Sequence, residues 1–215
     1  MPSPESRVAR VSGERLAGWV ERFAASHGSL EESDTDDGLL LRAADGAEAL
    51  LQAPWPADGR PGRGDDAITR LASLAAQPRP LGLVLVRRGG YSVAVVTEGR
   101  VVASKTGTRH VQSRTAAGGW SQQRFARRRS NQADALVEAV AAHAARIFAE
   151  HRIEYLVPGG DRTLADLVIA EPVLKRYAPL ARLAFLDVPD PRAAVVKKAA
   201  ADACAVRIQV TDPPS

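Results

Sequence analysis

The segment 116–131 holds the residues of this chain best suited to act on a substrate. It reads Ala-Ala-Gly-Gly-Trp-Ser-Gln-Gln-Arg-Phe-Ala-Arg-Arg-Arg-Ser-Asn. Gly118 and Gly119 permit backbone conformations that other residues avoid, so a loop built on them can enter a narrow space. Gln122 and Gln123 follow as neutral amides, which can orient a water molecule and donate hydrogen bonds to an oxyanion. The segment therefore predicts a polar loop that carries two uncharged amides at its tip.

The arginines that follow the two amides point to an anionic partner. Arg124, Arg127 and Arg128 are spaced i, i+3 and i+4, so they share one face if a helix begins there. Positive charges at a helix N-terminus oppose the helix dipole and weaken the isolated helix. Phosphate groups of a partner would reverse that penalty, and we therefore expect this helix start to bind phosphates.

The wider charge distribution gives the same indication. Of the 29 basic residues, eight lie between Arg100 and Ala133, a stretch without Asp or Glu, while the chain has 25 acidic residues in all. A GC-rich genome explains abundant arginine, but it does not explain the local absence of acids. The pattern predicts a polyanionic partner, RNA above all. The eight residues are Arg100, Lys105, Arg109, Arg114, Arg124, Arg127, Arg128 and Arg129.

Other catalytic chemistry fits the sequence poorly. A metal-dependent nuclease needs several carboxylates on neighbouring strands, and the only acid near the strands of residues 81–112 is Glu98, in a turn. Ser121 and His110 lack the surroundings of a nucleophile elbow. The four histidines have no metal-ligand spacing, and the single Cys204 excludes an internal disulfide. We expect no metal and no cofactor.

The composition is that of a globular protein. The chain has 215 residues, of which 45% are hydrophobic and 25% charged, enough to build a core. No apolar run has the length of a membrane span, and the N-terminus lacks the apolar stretch of a signal peptide. We therefore expect a soluble, cytoplasmic protein without a membrane partner.

The second part of the chain has a regular order of predicted elements. Short turns join the first three strands into an antiparallel meander, and strands alternating with helices follow. The order β-β-β-α-β-α-β-α is that of a mixed sheet with ribonuclease-H-like topology. The predicted elements are strands Leu81–Arg87, Tyr91–Thr97 and Arg100–Gln112, the loop Ser113–Gln123, a helix from Arg124 or Ser130 to His151, strand Ile153–Val157, helix Thr163–Ala170, strand Leu183–Leu186, a helix from Asp190 to Cys204, and strand Arg207–Val210, which would close the sheet.

Residues 1–78 are predicted to form a small α+β appendage to the domain 79–215. Its apolar spacing predicts a helix over Ser12–His27, and its acidic stretch Glu31–Asp37 predicts a solvated loop. A linker rich in glycine and proline follows the strands. The remaining predicted elements are strands Leu39–Arg42 and Ala47–Ala53, the linker Trp55–Asp65 and helix Asp66–Ala76.

Two runs of residues resemble a known family. Gly118-Gly119, Ser121 and Arg124-Phe125-Ala126-Arg127 are similar to the Gly-Gly-Gln loop of archaeal and eukaryotic class I release factors. Gly99-Arg100-Val101-Val102-Ala103-Ser104-Lys105-Thr106, with Arg109, resembles more closely the Vms-type release-factor-like proteins of ribosome quality control. The resemblance runs without gaps from Leu81 to Gly160 and loosely to Val210, and we take the actinobacterial branch as the nearest relatives.

The resemblance implies an activity and its residues. Members of the family carry a Gly-x-x-Gln motif on a ribonuclease-H-like domain and release nascent chains from peptidyl-tRNA on the large ribosomal subunit. Gly119-Trp120-Ser121-Gln122 fits this motif, which assigns catalysis to Gln122 with Gly118 and Gly119, and Gln123 in reserve. Aligned instead on Arg124-Phe125, the release-factor glutamine falls on Trp120, so the register leaves the catalytic amide open.

The partners implied are rRNA at the peptidyl-transferase centre and peptidyl-tRNA, bound by a cytoplasmic, ribosome-associated monomer. The chain has no room for a stop-codon-reading domain, so it would act without decoding. The alternative is a non-catalytic RNA-binding module on the same fold. The expected RNA-binding residues are Lys105, Arg109, Arg114, Trp120, Arg124, Arg127, Arg128 and Arg129.

Overall fold

The structure, a computed structural model, describes residues 6–108 and 121–213, with the side chains of residues 121–131 left undescribed. The chain divides into two units. One comprises Met1–Pro78 together with Cys204–Ser215, and the other comprises Arg79–Ala203. Each unit has its own sheet and its own helices.

The first unit contains a five-stranded antiparallel sheet in the order β1-β9-β4-β3-β2. Leucines of β3 and β4 alternate between a buried and a more exposed face, and the buried face packs against Leu16, Phe23 and Ile68 of two helices. This period of two is what a sheet covered on one face requires. The elements are β1 (Ser6–Val11), α1 (Gly13–His27), β2 (Leu30–Thr35), β3 (Gly38–Ala43), β4 (Glu48–Gln52), α2 (Ala67–Ala75) and β9 (Val206–Thr211).

Most elements predicted for this unit are present, but the acidic stretch is not a loop. Residues 30–35 form β2, an exposed edge strand that pairs antiparallel with β3 along its whole length. The sequence does not predict this strand because its residues are mostly charged, and an edge strand needs little apolar surface. Charges on an edge strand also discourage pairing with other chains. The predicted linker is also anchored, since the buried Trp55 donates its indole N–H to the Leu74 carbonyl at 3.0 Å.

The last strand corrects a second prediction. The sequence pattern predicts that Arg207–Val210 closes the sheet of the second unit. It belongs instead to β9, which lies between β1 and β4 in the five-stranded sheet. The alternation of Val206, Ile208 and Val210 with polar residues suits a sheet with one covered face, but no local pattern says which sheet a strand joins.

The second unit contains a four-stranded sheet in the order β7-β6-β5-β8. The first three strands form the predicted antiparallel meander, and β8 lies parallel to β5. The crossover through the long helix α3 allows β8 to lie parallel to β5. The elements are β5 (Leu81–Arg87), β6 (Gly90–Thr97), β7 (Arg100–Gly107), α3 (Ser121–Ala149), β8 (Tyr155–Gly160), α4 (Arg162–Ala170), the short 3-10 helix Pro172–Tyr177 and α5 (Ala193–Ala203).

The core of this unit lies between one face of the sheet and the helices α3 and α4. The apolar spacing of α3 predicts a buried stripe, and four of its five members are buried while Ile147 is partly buried against the core; the other four are Leu136, Val140, Ala144 and Phe148. Gly82 of β5 makes room for this stripe: a Cβ at its position would lie 2.9 Å from the Phe148 ring.

Two predictions for this unit were wrong, and a third lies partly outside the described residues. Leu183–Leu186 is not a strand and touches β8 only through two isolated parallel bridges, Leu156 to Arg182 and Gly159 to Leu186. The helix predicted from Asp190 begins at Ala193, after a turn in which the Arg192 N–H donates to the Asp190 carbonyl. Strand β7 comprises Arg100–Gly107, and residues 109–112 of the predicted strand lie outside the described residues. The two wrong predictions concern boundaries that depend on contacts with distant parts of the chain, which no local pattern carries.

Candidate functional site

The candidate site is the connection from β7 to α3, and the β6–β7 hairpin sets its starting point. Glu98 and Gly99 both have positive φ angles, +52° and +70°, as a tight two-residue hairpin turn requires. The resulting register pairs Thr97 with Arg100 and Tyr91 with Gly107, with a bulge at Val102. The end of β7 therefore lies beside the beginning of β6, at the edge of the sheet.

An aromatic contact joins this end of β7 to α3. The Tyr91 ring stacks on the His143 ring of α3, with centroids 5.7 Å apart and planes 15° from parallel. Gly107 lies against the same tyrosine, and a Cβ at its position would be 2.6 Å from the Tyr91 ring. Any larger residue would displace the ring. Sequence reasoning takes His143 as a surface or packing histidine and gives no role to Tyr91 or Gly107.

The charges around His143 are positive. An Nη of Arg146 lies 3.3 Å from the His143 Nδ1, in position to donate a hydrogen bond to it. Burial lowers the pKa of His143, and the charges of Arg146 and of Lys105 lower it further. Lys105 is exposed on β7, as its expected contact with RNA requires. A neutral imidazole thus lies close to two cations that β7 and α3 bring together.

Gln122 and Gln123 lie in a helix, whereas the sequence pattern predicts a loop at these positions. The helix α3 begins at Ser121, so Gln122 and Gln123 lie in its first turn and not in a loop that ends at Gln123. Glutamine and arginine favour helices and serine suits their starts, and these preferences extend the helix beyond the arginine cluster. The spacing of Arg124, Arg127 and Arg128 then places their α-carbons on one face of α3.

The helix α3 extends toward its N-terminus well beyond the residues that contact the core. Among the side chains that the structure describes, those of α3 that pack on the core begin at Ala133. At 1.5 Å per residue, Ser121 lies about 18 Å along the helix axis from that point. The arginines at positions 124, 127, 128 and 129 belong to this N-terminal part of α3.

Much of the predicted site lies outside the described residues. This holds for Gly118, Gly119, Trp120, Arg109 and Arg114. Only the backbone is described for a further set, consisting of Gln122, Gln123, Arg124, Arg127, Arg128 and Arg129. The catalytic and RNA-binding assignments of these residues stay predictions.

Two findings concern the rest of the described chain. Within residues 6–108 and 121–213, no group of three or more His, Cys, Asp or Glu side chains could hold a metal ion. In the same part of the chain, no helix is both long and apolar enough to cross a membrane.

Comparison with known families shows to which proteins the segment with the β6–β7 hairpin and α3 is related. Residues 79–209, more than half of the chain, match the family described as Actinobacteria/chloroflexi VLRF1 release factor. The chain belongs to this family. The relationship inferred from the Gly-Gly segment and from Gly99–Thr106 is thereby confirmed. No curated protein is detectably similar to the chain.

Membership in the VLRF1 release-factor family gives the site a biological setting. A release-factor-like protein acts in translation and associates with the ribosome. The family match begins at the first residue of the unit Arg79–Ala203, includes the whole β7–α3 connection, and extends into β9.

Proposed function

We propose that this protein is a peptidyl-tRNA hydrolase that releases stalled nascent chains on the large ribosomal subunit. The observation that carries the proposal is the family match over residues 79–209, because it includes the Gly-x-x-Gln segment and both elements that hold it. The protein would act as a monomer in the cytoplasm. The activity would belong to the domain 79–215, with residues 1–78 as an appendage.

The sheet supports a ribonuclease-H-like fold for this domain. Its three-stranded meander, with the first strand paired in parallel to the strand after the long helix, is the arrangement that the fold requires. The parallel bridges of Arg182 and Leu186 to β8 continue the sheet in the same direction. The strand expected at that edge is reduced to these bridges.

The reaction needs a positioned water and a stabilised oxyanion. Water attacks the carbonyl carbon of the ester, the bond to the 3′ oxygen of the tRNA breaks, and a proton passes to that oxygen. The products are a peptide with a free carboxyl group and a tRNA with a free hydroxyl. The Gln122 amide would orient the water or donate to the oxygens, with Gln123 as the alternative donor.

The start of α3 suits this role. The first four N–H groups of a helix have no partner within it, and the helix dipole adds positive potential there. Gln122 and Gln123 belong to this first turn, next to Gly118 and Gly119. A developing oxyanion would be stabilised in such a place without a charged catalytic side chain. The RNA of the peptidyl-transferase centre would complete the site.

The basic residues would hold the RNA rather than take part in the chemistry. Guanidinium groups remain charged, so they bind phosphates and cannot act as bases. Arg100 and Lys105 are exposed on β7 and begin a stretch without acidic residues that continues into α3. Trp120 would add stacking on an RNA base.

Single-turnover peptide release tests the proposal. Large subunits carrying peptidyl-tRNA are mixed with excess protein, and the rate is compared for wild type, Gln122→Ala and Gln123→Ala. We expect Gln122→Ala to slow release by about 10² to 10³, the usual cost of losing one positioned donor. Gln132→Ala, the same change further along α3, is the matched control and should retain the wild-type rate.

Three other outcomes would lead to different conclusions. Slow release by Gln123→Ala alone would move the catalytic amide by one residue. Normal release by both variants would contradict a catalytic role for this pair. No release by the wild type on loaded subunits would contradict the hydrolase proposal itself.

A second function, RNA binding without catalysis, is favoured by the charge pattern taken alone. Eight cations without an acid would anchor the protein to rRNA whether or not an ester is cleaved. Replacing Arg124, Arg127, Arg128 and Arg129 together by alanine should weaken subunit binding and lower its salt dependence. The slope should fall by roughly one unit for each phosphate that the variant no longer neutralises. Binding with an unchanged slope would show that these arginines do not bind phosphates.

A further inference from the structure

A groove in the first unit lies between the edge strand β1 and the helix α1. Its volume is about 230 Å³. One side is formed by Arg7, Val8 and Ala9 of β1 with Val210 of β9, and the other side is formed by one face of α1. The lining residues that matter here are Arg7, Ala9, Trp19, Arg22, Phe23 and His27.

The helix side of the β1–α1 groove is a ladder of rings. Trp19 stacks on Phe23 with centroids 5.3 Å apart and planes 10° from parallel, and Phe23 contacts His27 at 4.6 Å. Phe23 is almost fully buried, so it offers no ring face on which a nucleobase could stack. The partly exposed Trp19 and His27 supply the apolar surface of this side of the groove.

The last ring of the ladder is fixed by a carboxylate outside the groove. The Nδ1 of His27 lies 2.8 Å from an Oδ of Asp45. A hydrogen bond from the Ala47 N–H lowers the pKa of Asp45, and the bond with His27 lowers it further, so this carboxylate remains charged. The orientation of the His27 ring is therefore set before any ligand enters.

The charged residues of the β1–α1 groove are all basic. Arg7 and Arg22 line it, and no aspartate or glutamate does. Arg7 pairs with Asp212 at 3.4 Å, but both side chains are largely exposed, and such pairs contribute little and exchange readily. The Arg22 guanidinium forms no ion pair with the part of the chain that the structure describes.

The strand side of the groove is suited to accept another strand. In the described structure β1 pairs with β9 on one side and with no strand on the other. Its six residues pair with β9 in unbroken register. The edge strand β2 is protected by a row of acidic side chains, and β7 by a bulge at Val102 and by Lys105. The charged residues of β1 are Arg7 and Arg10, which favour acidic partners.

We propose that the β1–α1 groove binds an extended segment of a partner protein as an added strand beside β1, with an apolar and an acidic residue two positions apart. Main-chain hydrogen bonds to β1 would give affinity, and these two side chains, which share one face of the added strand, would reach the rings and the arginines of the groove. The six residues of β1 span about 20 Å, which suits a segment of roughly six residues. This site is separate from the peptidyl-tRNA chemistry and stands whether or not that proposal holds.

Selection from a displayed library of random octapeptides on the full chain tests the site. We expect enrichment of peptides in which Val or Ile stands two positions from Asp or Glu, so that both side chains lie on one face of the strand. The enriched peptide is then synthesised with a fluorescent label and titrated by anisotropy. Arg22→Glu should weaken its binding by tenfold or more, because a charge-assisted contact becomes a repulsion. Arg15→Glu, an exposed arginine of α1 outside the groove, is the matched control and should bind as wild type.

Two further probes identify the mode of binding. A peptide methylated on alternate backbone nitrogens should lose affinity if it adds to β1 as a strand, and equal binding of both forms would contradict strand addition. Failure to enrich any peptide on wild type over Arg22→Glu would overturn the proposal. So would enrichment of basic peptides, or binding of single-stranded oligouridine that depends on Arg22.

Discussion

The two sheets of this protein differ in how much of each strand is buried. In the four-stranded sheet every residue from Leu81 to Val86 and from Gly90 to Val96 is buried, on both faces of β5 and β6. In the five-stranded sheet β3 and β4 alternate, with Leu41 and Leu51 fully buried and Leu40 and Leu50 partly exposed. One sheet has both faces covered at its centre, and the other has one covered face.

This difference explains where each unit can present functional groups. A strand buried on both faces has no side chain available to a ligand, which agrees with proposed functional positions at the edge of the second unit, on β7 and in the connection to α3. The carboxylate-free interior of β5 and β6 likewise offers nothing to a metal-dependent nuclease. In the first unit the groove lies at an edge as well, between β1 and the helix that covers the sheet.

The largest expected effect separates the two kinds of strand. Val93→Asn and Ala94→Asn, on opposite faces of β6, should each lower the free energy of unfolding by about 2–4 kcal/mol, since each buries an amide without a partner. In β4, Leu51→Asn should cost a similar amount, but Leu50→Asn less than about 1 kcal/mol. Urea denaturation of the four variants measures this. A loss of less than about 1 kcal/mol in either β6 variant would contradict the burial of both faces of this strand.

A smaller effect is expected at the end of β7. Gly107→Ala places a Cβ 2.6 Å from the Tyr91 ring and should cost about 1–3 kcal/mol, as other overpacking changes do. The same variant should slow peptide release, because the ring links β7 to α3 through His143. Gly18→Ala in α1 is the control: its Cβ meets only the flexible Arg22 side chain at 3.4 Å. An unchanged melting temperature for Gly107→Ala would show that the Tyr91 contact is loose.

The smallest expected effect is a pH dependence from His143. Burial, Arg146 and Lys105 lower its pKa below the ordinary 6.5, so the unfolded chain takes up the proton at a higher pH than the folded protein does. Above pH 6.5 the contribution of His143 to the free energy of unfolding should therefore be fully present. It should be lost progressively as the pH falls from 6.5 toward the folded-state pKa. His143→Phe retains an aromatic ring against Tyr91 and should lose this part of the dependence.

Denaturation at several pH values measures the effect on stability, and NMR titration of the His143 ring gives its pKa directly. Lys105→Ala and Arg146→Ala should each raise that pKa, because each removes a positive charge near the imidazole. An equal pH dependence in wild type and His143→Phe would assign the effect to another group. An unchanged pKa in both charge variants would show that burial alone sets it.

Several features were predictable from the sequence because they are local. The Glu98-Gly99 turn, the meander and the buried stripe of α3 follow from turn chemistry and from the spacing of apolar residues. Family membership was also within reach, since it is carried by contiguous runs of residues. The charge pattern predicts a start of α3 at least three residues too late, because the arginines oppose the helix dipole while the helix preference of the glutamines prevails.

Other features depend on residues that are far apart in the chain. The strand at residues 206–211 has an alternating pattern that would fit either sheet, and pairing with β1 and β4 decided which. The acidic stretch became β2 only because β3 offered it a partner. The contact of Gly107 with Tyr91 and His143 joins three elements whose sequences show no sign of it.

The sequence by itself thus determined the family, the basic segment and most of the local elements, because periodicity, turn residues and charge are properties of neighbouring residues. Tertiary structure alone decided that the last strand belongs to the first unit, that β1 pairs on one side only within the part of the chain described, and that the Tyr91 ring stacks on His143 of α3 beside the end of β7. The physical reason is that backbone pairing and side-chain packing are satisfied over the whole chain at once. A strand or a ring takes whichever partner the rest of the fold leaves available.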